Sequence, residues 1–243
     1  MHAPREQASM MRTTFMTCLL LAASPAFASP TLATPAGASP SPVVVELFTS
    51  ESCSSCPPAD ALLAGLAHDP SLLPLAFHVD YWNQLNWRDR FSSPAATARQ
   101  RDYAATLGSG VYTPQIVVNG TSQAVGSDQA AVHQAIQAAR AAANATPLSL
   151  TAASGHVAVH VGAGAGSGTL LLIGFDHQHT TSVGGGENDG RTLLEANVVR
   201  SMQQIGQWDG AARDVMAEMP AGERVAVLLQ APDGRILAAA ATP

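Results

Sequence analysis

The sequence predicts an α/β fold, a mixed central sheet flanked by helices, with a β-rich C-terminal portion. Three observations carry that reading. Short runs of branched apolar residues alternate with stretches of helical period across residues 43–146. A Cys-x-x-Cys pair, Cys53 and Cys56, falls between the first such run and the first helical stretch. From residue 147 on, the texture turns to strand-length apolar segments separated by turn residues. With 47% hydrophobic and 12% charged residues among 243, the chain can build a sizeable core, which excludes wholesale disorder.

The first 28 residues read as a secretory signal peptide rather than as fold. Arg12 gives a basic n-region, 15–23 an apolar core, and Ala26-Phe27-Ala28 a small-x-small cleavage site. Met10 or Met11 also fits as the start. The apolar core is shorter than the ~20 residues a bilayer-spanning helix needs. No membrane span is therefore expected after cleavage; a retained anchor or a lipoprotein is the alternative. Cys18, preceded by Thr17, makes a poor lipidation site. Residues 29–42 are Ser, Pro, Thr, Ala and Gly with one Leu, the composition of a disordered lead-in. The expected location is periplasmic or secreted. Losing Cys18 leaves Cys53 and Cys56 as a natural pair in an oxidising compartment, and too few thiolates for a four-cysteine zinc site. A net charge of −6 and the absence of any Lys argue against nucleic-acid binding.

Each element has its own warrant. Residues 43–49, Val-Val-Val-Glu-Leu-Phe-Thr, read as a strand buried on both faces. Pro57 and Pro58 fit only the first turn of a helix, which places a helix start beside Cys56, with Leu62, Leu63 and Leu66 at helical spacing. Residues 72–79, interrupted by Pro74, fit a parallel neighbour of the first strand. Ser93-Pro94 opens a helix through Leu107, inside an insertion at 81–109. Pro114 leads a strand through Val118 that turns at Asn119-Gly120 into a return strand at 123–125. Ser127 is expected to cap a helix through Ala143. This order is that of the thioredoxin fold. In the C-terminal portion, 147–243, segments 148–152, 156–161 and 169–175 read as strands, and 224–230 and 235–240 as a hairpin around Pro232-Asp233-Gly234; 193–205 fits either a helix or a strand.

The pair carries the chemistry. Disulfide exchange requires a thiolate of lowered pKa that is exposed to its target. Cys53 lies just ahead of a helix N-terminus, whose partial positive charge favours an anion, with Ser54 and Ser55 as nearby donors. Cys53 is assigned as nucleophile and Cys56 as resolving thiol; a purely structural disulfide is the alternative. Thr113-Pro114 is expected to be cis, because in the thioredoxin fold a cis-proline opens the strand facing the disulfide and the preceding residue pairs with incoming polypeptide. Glu46, a carboxylate in an apolar strand, is either a buried proton acceptor for Cys56 or an edge-facing, solvated residue. His78 and Asp80, followed by Tyr81, Trp82 and Trp87, line a groove or pack the insertion on the core. Asp176, His177 and His179 resemble metal ligands but fit a solvated strand end better.

The segments Glu46-Leu47-Phe48-Thr49-Ser50 and Cys53-Ser54-Ser55-Cys56-Pro57-Pro58-Ala59-Asp60 resemble a bacterial family of secreted thioredoxin-like proteins catalogued as a domain of unknown function. So do His78-Val79-Asp80-Tyr81-Trp82, Trp87-Arg88-Asp89-Arg90-Phe91, Tyr112-Thr113-Pro114-Gln115, Gly186-Glu187-Asn188, Gly190-Arg191-Thr192 and Asn197-Val198-Val199-Arg200. Glu51-Ser52 stands where the family pattern has Gln-Gly. The resemblance implies a thioredoxin-like fold and export, but no substrate. The expected function is exported thiol–disulfide exchange, without cofactor, acting on protein thiols or disulfides and served by an exported redox partner. The Ser-Ser dipeptide holds no cation, which favours a reductant or isomerase over a strong oxidant. The alternatives are a copper- or zinc-handling module using the two thiolates plus His78 or His133, and a binding protein with an inert disulfide.

Overall fold

The first strand, β1 (Val43–Thr49), is buried along its whole length, as its unbroken apolar run requires. In this computed structural model, residues 1, 2, 41–142 and 146–243 are described. All but residues 1 and 2 of the expected signal peptide and nearly all of the lead-in lie outside the described residues. After β1 come α1 (Pro57–Leu66), β2 (Leu72–His78), α2 (Pro94–Leu107), β3 (Gln115–Val118), β4 (Ser122–Val125) and α3 (Gln129–Ala141). The remainder is strand apart from a single 3-10 turn at Gly186–Asn188: β5 (Leu148–Ala153), β6 (His156–Val161), β7 (Gly168–Ser182), β8 (Thr192–Trp208), β9 (Arg213–Glu218), β10 (Arg224–Gln230) and β11 (Ile236–Ala241).

Local chemistry sets most boundaries. Ser93 caps α2 by accepting from the Ala96 amide, Pro94 occupies the first turn, and Gly108 ends the helix in the left-handed region. The β3–β4 turn has Asn119 and Gly120 both at positive φ, the tight hairpin geometry that an Asn-Gly pair favours. Asp128, not Ser127, caps α3, accepting from the Ala131 amide.

Eight strands form one mixed sheet in the order β11-β10-β7-β8-β2-β1-β3-β4, and β5-β6-β9 form a second, antiparallel sheet. β1 runs parallel to β2 and antiparallel to β3. Alternation along β1 sorts the core. Val43, Val45 and Leu47 meet Ala59 and Leu63 of α1 and Val132 and Ile136 of α3. Val44 and Phe48 face the other way, toward Tyr103 of α2, in a cluster continuous with Ile173, Ala226 and Leu228. The three-stranded sheet packs Val157, Val159 and Val161 against Leu170, Leu172, Val227 and Leu229.

The division expected at 146/147 does not separate two sheets. β7, β8, β10 and β11 continue the sheet begun by β1 and β2, and only β5, β6 and β9 stand apart. The seam is thin: β8 joins β2 through the single register pair Ala76–Val198. Pro74 has no N–H to give there, and Asn197, at φ 50°, bonds its side-chain amide to the Pro74 carbonyl at 2.8 Å. The ambiguous segment 193–205 is strand, inside β8. β9 was not expected; its Arg-Asp-Val-Met-Ala-Glu holds only Val215 and Ala217 half-buried, a pattern too polar to stand out.

Candidate functional site at the cysteine pair

The loop leaving β1 winds into α1 through a chain of turns. The Cys53 amide donates to the Ser50 carbonyl, that of Cys56 to Cys53, and that of Asp60 to Cys56. Cys56 stands at the N-cap position of α1 without a side-chain capping bond, and Pro57 and Pro58 fill the first turn, where a missing N–H costs nothing. Cys53 and Cys56 form a disulfide with their Cα atoms 5.4 Å apart.

The Thr113–Pro114 peptide is cis. Its threonine reaches the pair: the Thr113 hydroxyl donates to Cys53 Sγ at 3.3 Å and accepts the Trp82 indole N–H at 2.8 Å. Ser55 Oγ lies 3.4 Å from the same sulfur and 3.5 Å from the Thr113 carbonyl. Gly126 makes this approach possible. Its amide bonds the Pro114 carbonyl, and a Cβ there would lie 2.9 Å from Ala59 and 3.1 Å from Pro114.

Two expectations need correction. Cys53 was expected to be exposed, yet both cysteines are 0% exposed in the disulfide form; Ser54 and Ser55, between them, are the exposed residues. The sulfur sits under the side chains of Thr113 and Ser55, 3.3 and 3.4 Å from it. Glu46 was expected either as a buried proton acceptor for Cys56 or as an edge-facing, solvated residue, and it is neither. It is fully buried, but its carboxylate accepts from both Arg99 Nε and Arg99 Nη2 and from the Tyr103 hydroxyl, at 2.6 Å for the last. The reason is strand parity: Glu46 shares the α2 face with Val44 and Phe48, whereas α1 packs on the other face.

The carboxyl on the α1 side is Asp60, one helical turn past Cys56 and buried, accepting from the Thr49 hydroxyl at 2.8 Å. Desolvation pushes its pKa up to about 6, against the opposing pull of His78 and Thr49. Sequence reasoning missed it, although its i+4 spacing from Cys56 was readable.

Behind the loop lies a buried polar cluster. His78 Nδ1 meets Asp89 Oδ2 at 2.7 Å, and its Nε2 faces Glu195 Oε1 at 3.8 Å. Burial disfavours the imidazolium, but Asp89, Glu195 and Asp60 outweigh it and raise His78 to about 10. Burial also lifts Glu51, and it lifts Glu195 to about 7. Thus His78 packs the insertion on the core, through Asp89, whose Oδ2 also takes the Glu51 amide. Asp80 bonds the Thr97 hydroxyl through both its amide and its carboxylate.

The segment joining β7 to β8 grips the cysteine loop. The Glu187 carboxylate accepts from the Ser54 amide at 2.9 Å and hydroxyl at 2.7 Å. Asn188 Nδ2 donates to the carbonyls of Glu51 and Cys53 at 3.0 and 2.8 Å. Gly186, at φ 69°, passes so close that a Cβ would lie 2.7 Å from Ser52 Oγ. Arg191 bonds Asn188, and Arg200 bonds Asp176. His179 also bonds Asp176, at 2.7 Å. Among the described residues, no group of three His, Cys, Asp or Glu side chains is arranged to hold a metal, and no helix is long and apolar enough to cross a membrane. His133 stands exposed on α3.

Similar structures share the architecture. A crystal structure of a protein from Agrobacterium tumefaciens is 33% identical over 82% of this chain and 92% of its own, with a TM-score of 0.72. HBP35 of Porphyromonas gingivalis, 13% identical, covers 84% of this chain and 75% of its own with a TM-score of 0.57, a likeness of fold alone. No curated protein matches the chain. The family described as "Protein of unknown function (DUF1223)" matches residues 44–230, and the chain, matched over most of its length, belongs to that family.

Proposed function

We propose that this chain is an exported thiol–disulfide oxidoreductase of thioredoxin-like fold, acting through Cys53 and Cys56. One observation carries the reading: a disulfide at the entrance of α1 has the threonine of a cis Thr-Pro peptide hydrogen-bonded to its first sulfur. A merely structural bridge has no need of that arrangement. The signal-like N-terminus supports export.

In the reducing direction, a Cys53 thiolate attacks a client disulfide. A mixed disulfide forms and one client sulfur leaves as thiolate with the electron pair. Cys56 then gives its proton to the Asp60 carboxylate, the buried carboxyl on the α1 side, and attacks Cys53 Sγ. The second client thiolate departs, and the Cys53–Cys56 disulfide remains. An exported dithiol returns the pair to the reduced state. The absence of a cation in Ser54-Ser55 supports this direction, since strong oxidants hold their thiolate more tightly.

A second reading is an inert bridge in a binding protein, favoured by the 0% exposure of both sulfurs. Redox titration of the folded protein with a dithiol separates the two. Exchange requires reversible reduction and reoxidation without unfolding, and loss of disulfide-exchange activity in Cys53→Ser. A bridge that opens only in denaturant establishes the inert reading.

A further inference from the structure

We infer that Trp82 is a positioning residue for exchange at Cys53: its indole N–H fixes the Thr113 hydroxyl so that the hydroxyl proton is held on Cys53 Sγ. This deepens the redox reading above and rests on it. An indole nitrogen is a donor only, so the 2.8 Å contact commits a lone pair of Thr113 Oγ1 to Trp82. The hydroxyl then has one proton to place, and the acceptor that its geometry picks out is Cys53 Sγ, 3.3 Å away; Tyr81, which also meets the Thr113 side chain, gives its own proton to Gln100. Ser55 is no substitute, because its single hydroxyl proton is shared between that sulfur at 3.4 Å and the Thr113 carbonyl at 3.5 Å.

The surroundings explain why such a device is useful. Charged groups near the pair are mostly acidic: Asp60 on α1, Glu51 in the entering loop, and Glu187 against Ser54, with Asp89 and Glu195 behind. Each disfavours a thiolate. His78 is committed to Asp89, Arg191 reaches Asn188 rather than a sulfur, and Tyr81 is a neutral phenol that donates to Gln100 and also meets the Thr113 side chain. A neutral donor chain from the insertion, together with the N-terminus of α1, is what remains to hold negative charge on Cys53. A disulfide sulfur is a weak acceptor and a thiolate a strong one, so the chain tightens when the bond opens. It therefore favours the reduced pair.

The test uses the whole chain with the pair reduced, reading Cys53 ionisation by thiolate ultraviolet absorbance and the reduction potential by equilibration with a dithiol. Trp82→Phe and Thr113→Val are each expected to raise the Cys53 pKa by about one unit. A tenfold loss of thiolate stabilisation lowers the potential by about 30 mV. The double variant is expected to add nothing to either single one, and Thr113→Ser to keep the original values. Trp82→Tyr, which also lacks an N–H at that point, serves if the Phe variant does not fold. If Thr113→Val shifts both readouts while the Trp82 variants leave them unmoved, the relay is wrong and the redox reading survives. If the original pair cannot be reduced reversibly, both fall together.

Discussion

Glu46 shows how much one residue's direction decides. Its carboxylate is the kind of group that serves a buried thiol, and the sequence identifies it as burial-prone. Parity along β1 turns it away from α1, and Arg99 and Tyr103 consume its acceptors. Gln230 completes the set by accepting from Arg99 and donating to the Tyr103 hydroxyl. The group is structural. Replacing it tests that directly: Glu46→Ala leaves the Arg99 guanidinium, only 6% exposed, without its counter-charge. Losing one partner of a buried pair costs about 3–5 kcal/mol, so urea unfolding is expected to show destabilisation of that order. The reduction potential of the cysteine pair is expected to stay where it was. A shifted potential with intact stability would return Glu46 to the proton chemistry from which its geometry removes it.

Elements were legible where chemistry is local. Pro57-Pro58 marks α1, Ser93-Pro94 marks α2, and Asn119-Gly120 marks a hairpin, because each acts through its own backbone within one turn. The β7–β8 connection was legible only as part of the family resemblance, since its role lies in bonds to residues more than 130 positions away. Asn188 is the critical contact of that connection, donating to two carbonyls of the cysteine loop from a fully buried position. Asn188→Ala deprives both carbonyls of this donor, a loss of about 1–3 kcal/mol for each buried acceptor left without a replacement. Much of that loss is expected to appear as local opening around Cys53 rather than global unfolding. The observable is the rate at which a small dithiol reduces the disulfide in the folded state, expected to rise several-fold. An unchanged rate would mean that the cover over Cys53 is made by Thr113 and Ser55 alone.

At the scale of the whole molecule, the sequence shows a change of texture near residue 147 that invites a domain boundary. The change is real: the helices end and strands take over. What no local pattern contains is the order in which strands pair, because that is settled by which edges remain open after the early elements dock. β2 offers such an edge, and β8, more than a hundred residues further along the chain, takes it, so the N-terminal sheet is completed by late strands. Phe77 and Leu75, on the face shared with Ile173 and Ala226, belong to a cluster drawn from both sides of the supposed boundary. The Asn188 and Glu187 contacts with the cysteine loop come from the same late segment. A chain ending at residue 146 therefore lacks the covering for β2, the part of its α2-side core that Ile173, Phe175, Ala226, Leu228, Ile236 and Ala239 supply, and the grip on Cys53. Such a fragment is expected to be molten or aggregated, without the sharp thermal transition of the full chain, and to have a readily reduced disulfide. Near-ultraviolet circular dichroism of the two chains decides the matter. A fragment that melts cooperatively with native aromatic signals would show that the seam at Ala76–Val198 joins two self-sufficient units.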